Sequence, residues 1–227
     1  MLFRSLAAGI DRSGIADALA LAANQLVLRD AGRPKEWAQP GKPPGSVHGD
    51  SIGVHACDSA NAWRHMALSA NHHNACASLI LAAWHQGLDW HESGRPFGDW
   101  QARPTAEVLA DVRATDAAAL LATIDDTIRA GDQDRACAAV QRFCDLGHPH
   151  RDVLDRLLGY AVSEDGSLHA EKYYRTATDE LARARPQHRA RQIVALARVT
   201  ASEYGTPAPG VAEACEALGI EIGRAHV

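Results

Sequence analysis

No run of apolar residues in this chain approaches the roughly 18 needed to cross a bilayer, and the opening segment meets Asp11 too early to be a secretory signal. A chain that works away from membranes is expected. There is no basic block either: 23 Lys and Arg are scattered among 28 carboxylates, for a net charge of -5. Phosphate binding needs cations clustered on one face, so a nucleic-acid surface is excluded. The five cysteines, at 57, 76, 137, 144 and 215, are odd in number and show no CxxC or finger spacing. That pattern points to a reduced, cytoplasmic setting rather than a disulfide framework.

Several chemistries are missing at the level of motif. The chain has no ExxH for a ferritin-type di-iron bundle, no HExxH, no GxSxG elbow, no phosphate-binding loop, no GxGxxG turn and no Cys-x-His pair for a Rieske cluster. Alternation of β-branched residues is also lacking, while alanine fills the intervals between turns, so no strand is expected.

What is present is helical, and part of it occurs twice. His55-Ala56 and His169-Ala170 each open an apolar helical run followed by a second one, and the offset of 114 that relates them lays Leu79-Ile80 onto Ile193-Val194 and Ala83 onto Ala197. The expected fold is all-α: stacked helical hairpins with an internal repeat, as a multi-helix bundle or short solenoid-like domain. At 227 residues and 46% hydrophobic, the chain suits a single domain over 1–227, with two quasi-repeated halves at about 6–100 and 105–220. The segments 2–5 and 221–227 read as what the ends of a common sequencing adapter encode. The expectation is a metagenomic fragment, native over about 6–220 and lacking its true start.

Punctuation places the elements. A helix is expected over Ile15 to Leu28, then a long loop through Pro34, Pro40, Pro43 and Pro44 to Asp50. Asp58 or Ser59 is read as capping the next helix, to about Ala70, with a return helix from Asn74 to Gln86 stopped by Gly87. Thr105, Asp116 and Asp132 are expected N-caps, Gly131 and Gly147 stops, and further helices follow near 150–163, 168–184, 187–204 and 209–218.

Two constellations carry candidate chemistry. In the first, His55, Asp58, Asn61 and Arg64 recur at three-residue steps. Read as one polar stripe they form a pocket wall in which Asp58 orients His55 as a base; read structurally, Asp58 is a cap. In the second, His169 and Lys172 stand one turn apart with Tyr173 beside them, and a lysine there suits an anion or a polarised carbonyl. The plainer alternative is an amphipathic first turn with Ser167 as cap and Lys172 solvated. His72-His73 and the pair His148, His150 fit turn and capping positions, while His85 and His91 are within range of the pocket. Trp37 and Trp90, with Trp84 and Trp100, suit a flat aromatic ligand or simply the core.

The segment Val54-His55-Ala56 through Ala62-Trp63-Arg64, with Trp84 on the return helix, resembles the HxVT-then-Ala-x-Arg segment of questin-oxidase-like proteins. Ala161 to Lys172 is similarly like their Asp-x-His-x-x-Lys segment, and the likeness covers about 48–90 and 116–200. Asp58 stands where the family tends to have Thr, and one extra residue separates Asp165 from His169. The resemblance implies an all-helical oxidoreductase, with fungal relatives assigned to Baeyer-Villiger-type oxidation of anthraquinone polyketides, and it implies catalytic roles for His55, His169 and Lys172. Asp58, Asn61, Arg64, Trp37, Trp90 and Tyr173 are the expected substrate contacts. No cofactor is identified, because no nucleotide-binding fingerprint exists. A non-catalytic helical scaffold and a metal protein using His55, Asp58 and His169 are the alternatives.

Overall fold

The computed structural model describes residues 2–47, 51–92, 101–163, 168–205 and 210–220. Among them every regular element is a helix, apart from an isolated bridge between Gln39 and Lys42. In chain order the helices are α1 (Leu2–Ala7), α2 (Arg12–Arg29), α3 (Ile52–Ser69), α4 (His72–Glu92), α5 (Ala106–Asp111), α6 (Ala117–Arg129), α7 (Gln133–Asp145), α8 (His150–Ala161), α9 (Leu168–Arg183), α10 (Pro186–Glu203) and α11 (Val211–Leu218). They pack as an all-α bundle. No helix among the described residues is long and apolar enough to cross a membrane.

Where a boundary is set by local chemistry it falls where the sequence puts it. Thr105, Asp116 and Asp132 each accept a hydrogen bond from a backbone N–H three residues on, and Gly131 and Gly147 take the positive φ that ends α6 and α7. The larger differences are at α2, α3 and α4. α2 begins at Arg12, three residues before Ile15, with Asp11 accepting from Gly14 N–H as its cap. α3 begins at Ile52, capped by Ser51, so Asp58 lies in its second turn and does not cap. α4 starts at His72 and continues through Gly87 to Glu92, because packing on α2 and α3 supports a residue that would weaken an isolated helix.

The core is organised around α10, which packs against α2, α6, α7, α8 and α9. Its residues from Gln192 to Ala201 are buried in an unbroken run, as befits a helix surrounded on all sides. The polar members of that run are partnered. Asn24 donates to Gln192 Oε1 at 3.3 Å, while Arg198 donates to the carbonyls of Val27 and Asp30 and to Gln133 Oε1. Arg198 thereby ties the end of α2 to α7 and α10.

α2 and α3 cross closely because Gly53 has no side chain: a Cβ there would stand 2.5 Å from the Val27 backbone nitrogen. Between these helices runs the long proline-bearing loop. Its base is pinned by the Arg33–Gly45 and Arg33–Ser46 backbone bonds, by Val47 N–H donating to Ser202 Oγ at 2.8 Å, and by Gln133 donating to the Gly45 carbonyl at 2.9 Å. Asp30 closes the arrangement, accepting from Gly32 N–H and from Ser51 Oγ. The loop up to Val47 is therefore fixed against α7 and α10, and Ser51 is held independently by Asp30 at the end of α2.

Candidate functional site

The two hairpins, α3–α4 and α9–α10, end and restart at positions that differ by the repeat offset: Ser69 matches Arg183, and His72 matches Pro186. α3 and α9 are in contact and run parallel, because partner numbers rise together along both. His55 meets His169, Asp58 meets Lys172 and His65 meets Asp179, each pair being the same repeat position taken from the two copies. Such self-facing pairs arise in register across the axis of a parallel coiled coil, at 3- and 7-residue spacing. The repeat thus folds against itself.

At the N-terminal end of this seam the imidazoles of His55 and His169 pack edge to face with ring centroids 6.1 Å apart. His55 is exposed and His169 half-buried. Burial, followed by the neighbouring His55 and Lys172, lowers the His169 pKa below its usual value. Lys42, from the proline-bearing loop, adds positive charge in the same direction. One turn on, Lys172 Nζ lies 2.8 Å from Asp58 Oδ2, and Thr176 Oγ1 donates to Asp58 Oδ1 at 2.7 Å. Asp58 is therefore a latch between the hairpins, and Lys172, with its side chain 49% exposed, is a positioned cation rather than a freely solvated one.

The polar stripe expected from His55 through Asp58 and Asn61 to Arg64 divides in two. Steps of three residues turn 300° rather than 360°, so the row rotates by about 60° each time, and Arg64 ends about half a turn round α3 from His55. Arg64 makes ion pairs with Asp17 at 2.9 Å and Glu180 at 3.0 Å, and Asn61 donates to Glu180 Oε1 at 3.1 Å. These residues form a separate buried cluster. Burial raises the Glu180 pKa against the opposing effect of Arg64.

Tyr173 does not line an open face. Its ring is in the core, 1% exposed, and its hydroxyl donates to Cys57 Sγ at 3.6 Å, with burial pushing both groups well above their ordinary pKa values. Neighbouring numbers on a helix face different ways, which is why Tyr173 turns inward while Lys172 turns out. Trp37 is 64% exposed in its 3-10 turn. The backbone of Trp90 belongs to α4; its side chain, Trp100 and the Ser167 cap lie outside the described residues. His85 accepts from Trp63 Nε1 at 2.9 Å on its Nδ1 and so belongs to the α3–α4 interface. His148 bonds the Thr115 carbonyl, and His72 and His73 are exposed.

Among the described residues no group of three or more His, Cys, Asp or Glu side chains is placed to hold a metal, so His55, Asp58 and His169 do not assemble into such a site. Thr176, Lys42 and Glu180 were not among the expected site residues. Applying the offset to Asp58, as to His55, would have paired it with Lys172. No protein-family model, curated protein or solved structure matches this chain.

Proposed function

We propose that this chain is an oxidoreductase-like helical domain that acts on an aromatic or polyketide-like small molecule at the α3–α9 seam, in a reduced cytoplasmic setting. The observation that carries this reading is the meeting of His55 and His169, brought from separate hairpins to a centroid distance of 6.1 Å beside a latched lysine. With its pKa lowered, the His169 ring is neutral near pH 7 and can accept a proton from a phenol or an activated C–H. His55, exposed beside it, returns a proton to the product. Lys172, fixed by Asp58, supplies positive charge to the oxygen that gains electrons.

The resemblance to questin-oxidase-like proteins suggests oxygen insertion next to a ketone. In that reaction one atom of O2 enters the substrate and the other leaves as water, with two electrons drawn from an external reductant such as a reduced nicotinamide. The chain's residues bind, orient and move protons; the redox chemistry belongs to the co-reactants.

The test is to incubate the full chain with hydroxyanthraquinones, air and a reduced nicotinamide, following product mass. His55→Ala and His169→Ala are each expected to lower turnover by about 100-fold or more, with helical content unchanged. Turnover unaffected in both variants, or a wild-type chain that neither binds nor oxidises these compounds, refutes the proposal.

A second reading, a non-catalytic helical scaffold, is favoured by Leu81 and Trp84, large apolar residues exposed on α4. It predicts that both histidine variants are silent.

A further inference from the structure

The repeat that forms the histidine seam also leaves one helix half covered. α4 and α10 hold the same position in the two hairpins, and the offset of 114 lays Ile80 on Val194, Leu81 on Ala195 and Trp84 on Arg198. All three residues of α10 are buried. α7 lies over that face: its Cys137 Sγ donates to the Val194 carbonyl at 3.6 Å, and its Gln133 Oε1 accepts from Arg198 Nε at 3.2 Å. Partner numbers fall along α7 as they rise along α10, so the covering helix runs antiparallel. α4 packs against α1, α2 and α3, and its matching face stands at the surface, with Leu81 41% exposed and Trp84 59%.

Charge and spacing say what can cover it. From Ser59 to Leu88 the one Asp, Glu, Lys or Arg is Arg64, which is buried, although 22% of the chain is charged. A solvated helix face normally carries charged and polar residues, whereas depletion of charge marks the centre of an interface. Ala77, Leu81, Trp84 and Leu88 follow one another at steps of four, three and four, which keeps them on one stripe. That order of steps reads the same in both directions. An antiparallel helix of identical sequence therefore sets Leu81 against Trp84 and the small Ala77 against Leu88, twice over, about a two-fold axis perpendicular to α4. The stripe is complementary to itself in size. It also brings no like charges together, in a chain whose net charge of -5 otherwise opposes self-association.

We propose that the outer face of α4 is a dimer interface, occupied by α4 of a second copy of this chain running antiparallel to it. The second copy takes the place on α4 that α7 takes on α10. None of these residues belongs to the histidine seam, so dimerisation is independent of the activity proposed there.

The test is sedimentation velocity of the full chain through the micromolar range, with a reductant present so that a disulfide at Cys76, half-buried on the same helix, does not contribute. A reversible monomer–dimer equilibrium is expected. Trp84→Glu and Leu81→Lys alter side chains already at the surface of the single chain, so helical content and Tm should hold while dimerisation weakens by about 10-fold or more in each. Val162→Glu, at the exposed apolar C-cap of α8, should leave dimerisation unchanged. Mixing the two α4 variants sets the introduced lysine against the introduced glutamate on one side of the two-fold and keeps the native pair on the other. The mixture should therefore dimerise more tightly than either variant alone. A chain monomeric throughout the range, which would leave the face to a different partner, overturns the proposal. So does a dimer that both variants retain, or a mixture no tighter than its components.

Discussion

Replacing Gly53 with alanine sets two effects of known size against each other. In a solvent-facing helix the change would stabilise by up to about 1 kcal/mol, because glycine has more backbone freedom to lose. At Gly53 the new Cβ would meet the Val27 nitrogen at 2.5 Å, the Val27 Cα at 2.6 Å and the Leu26 carbonyl carbon at 2.8 Å. All three are backbone atoms of α2, so no rotamer relieves the clash. Restoring an ordinary contact of about 3.5 Å requires the helices to part by about 1 Å. That loosens the packing of Ala56, Cys57 and Ala60 in the shared core. Overpacking of this kind costs about 1–3 kcal/mol, and more where backbone must move. The net expectation is a loss of about 1–2 kcal/mol, or a Tm lower by roughly 2–8 °C for a chain of this length. Gly87→Ala is the control, since a Cβ on that exposed α4 residue meets nothing within 4 Å. It should raise the Tm by a few degrees. Urea and thermal unfolding of both variants decide the matter, and a Gly53→Ala protein more stable than wild type would refute the account of the α2–α3 crossing. Since His55 is two residues from Gly53, the turnover proposed for the histidine pair should fall in the same variant.

Two further outcomes follow from buried or half-buried charge. Arg198→Met should cost about 3–5 kcal/mol in urea unfolding, because it strips the donor from the Val27 and Asp30 carbonyls at the end of α2; a loss below about 1 kcal/mol would mean that these carbonyls find other partners. His169 has a folded-state pKa below its ordinary value of about 6.5, so the unfolded chain binds the proton more readily between the two values. Its contribution therefore favours the folded state at higher pH, weakens as pH falls through about 6.5, and reaches its full penalty below the folded value. Urea midpoints at pH 7.5 and pH 5 should differ less in His169→Gln than in wild type, and an equal or larger difference would contradict the assigned direction.

The features legible in the sequence are those decided within a few residues. Asp116 and Asp132 as caps, and Gly131 and Gly147 as stops, depend on local hydrogen bonds and φ, which neighbouring residues supply. Ser51 as the cap of α3 is not decided locally, because several polar residues there are competent and it is Asp30, at the end of α2, that holds the Ser51 hydroxyl. Continuation of α4 through Gly87 was illegible for a similar reason: the support comes from other helices. The meeting of His55 with His169 was foreshadowed by the repeat, but the inward turn of Tyr173 onto Cys57 depends on how α9 is rotated against α3. Periodicity within one helix does not state that angle.

The self-facing repeat also separates architecture from chemistry. In a parallel in-register pair, identical copies would set like charge against like, at a cost along the whole seam. Here the facing positions are complementary: Asp58 opposes Lys172 at 2.8 Å, and His65 opposes Asp179 at 3.1 Å. Those pairs stabilise the seam without further explanation. His55 and His169 depart from that pattern, placing the same titratable group on both sides, where burial first and His55 second lower the His169 pKa. A ring whose pKa lies below the usual imidazole value is held ready to accept a proton rather than to hold one. In the chemistry proposed for the seam that ring is the base, and a carboxylate in place of His55, matching the other facing pairs, would raise the His169 pKa instead of lowering it.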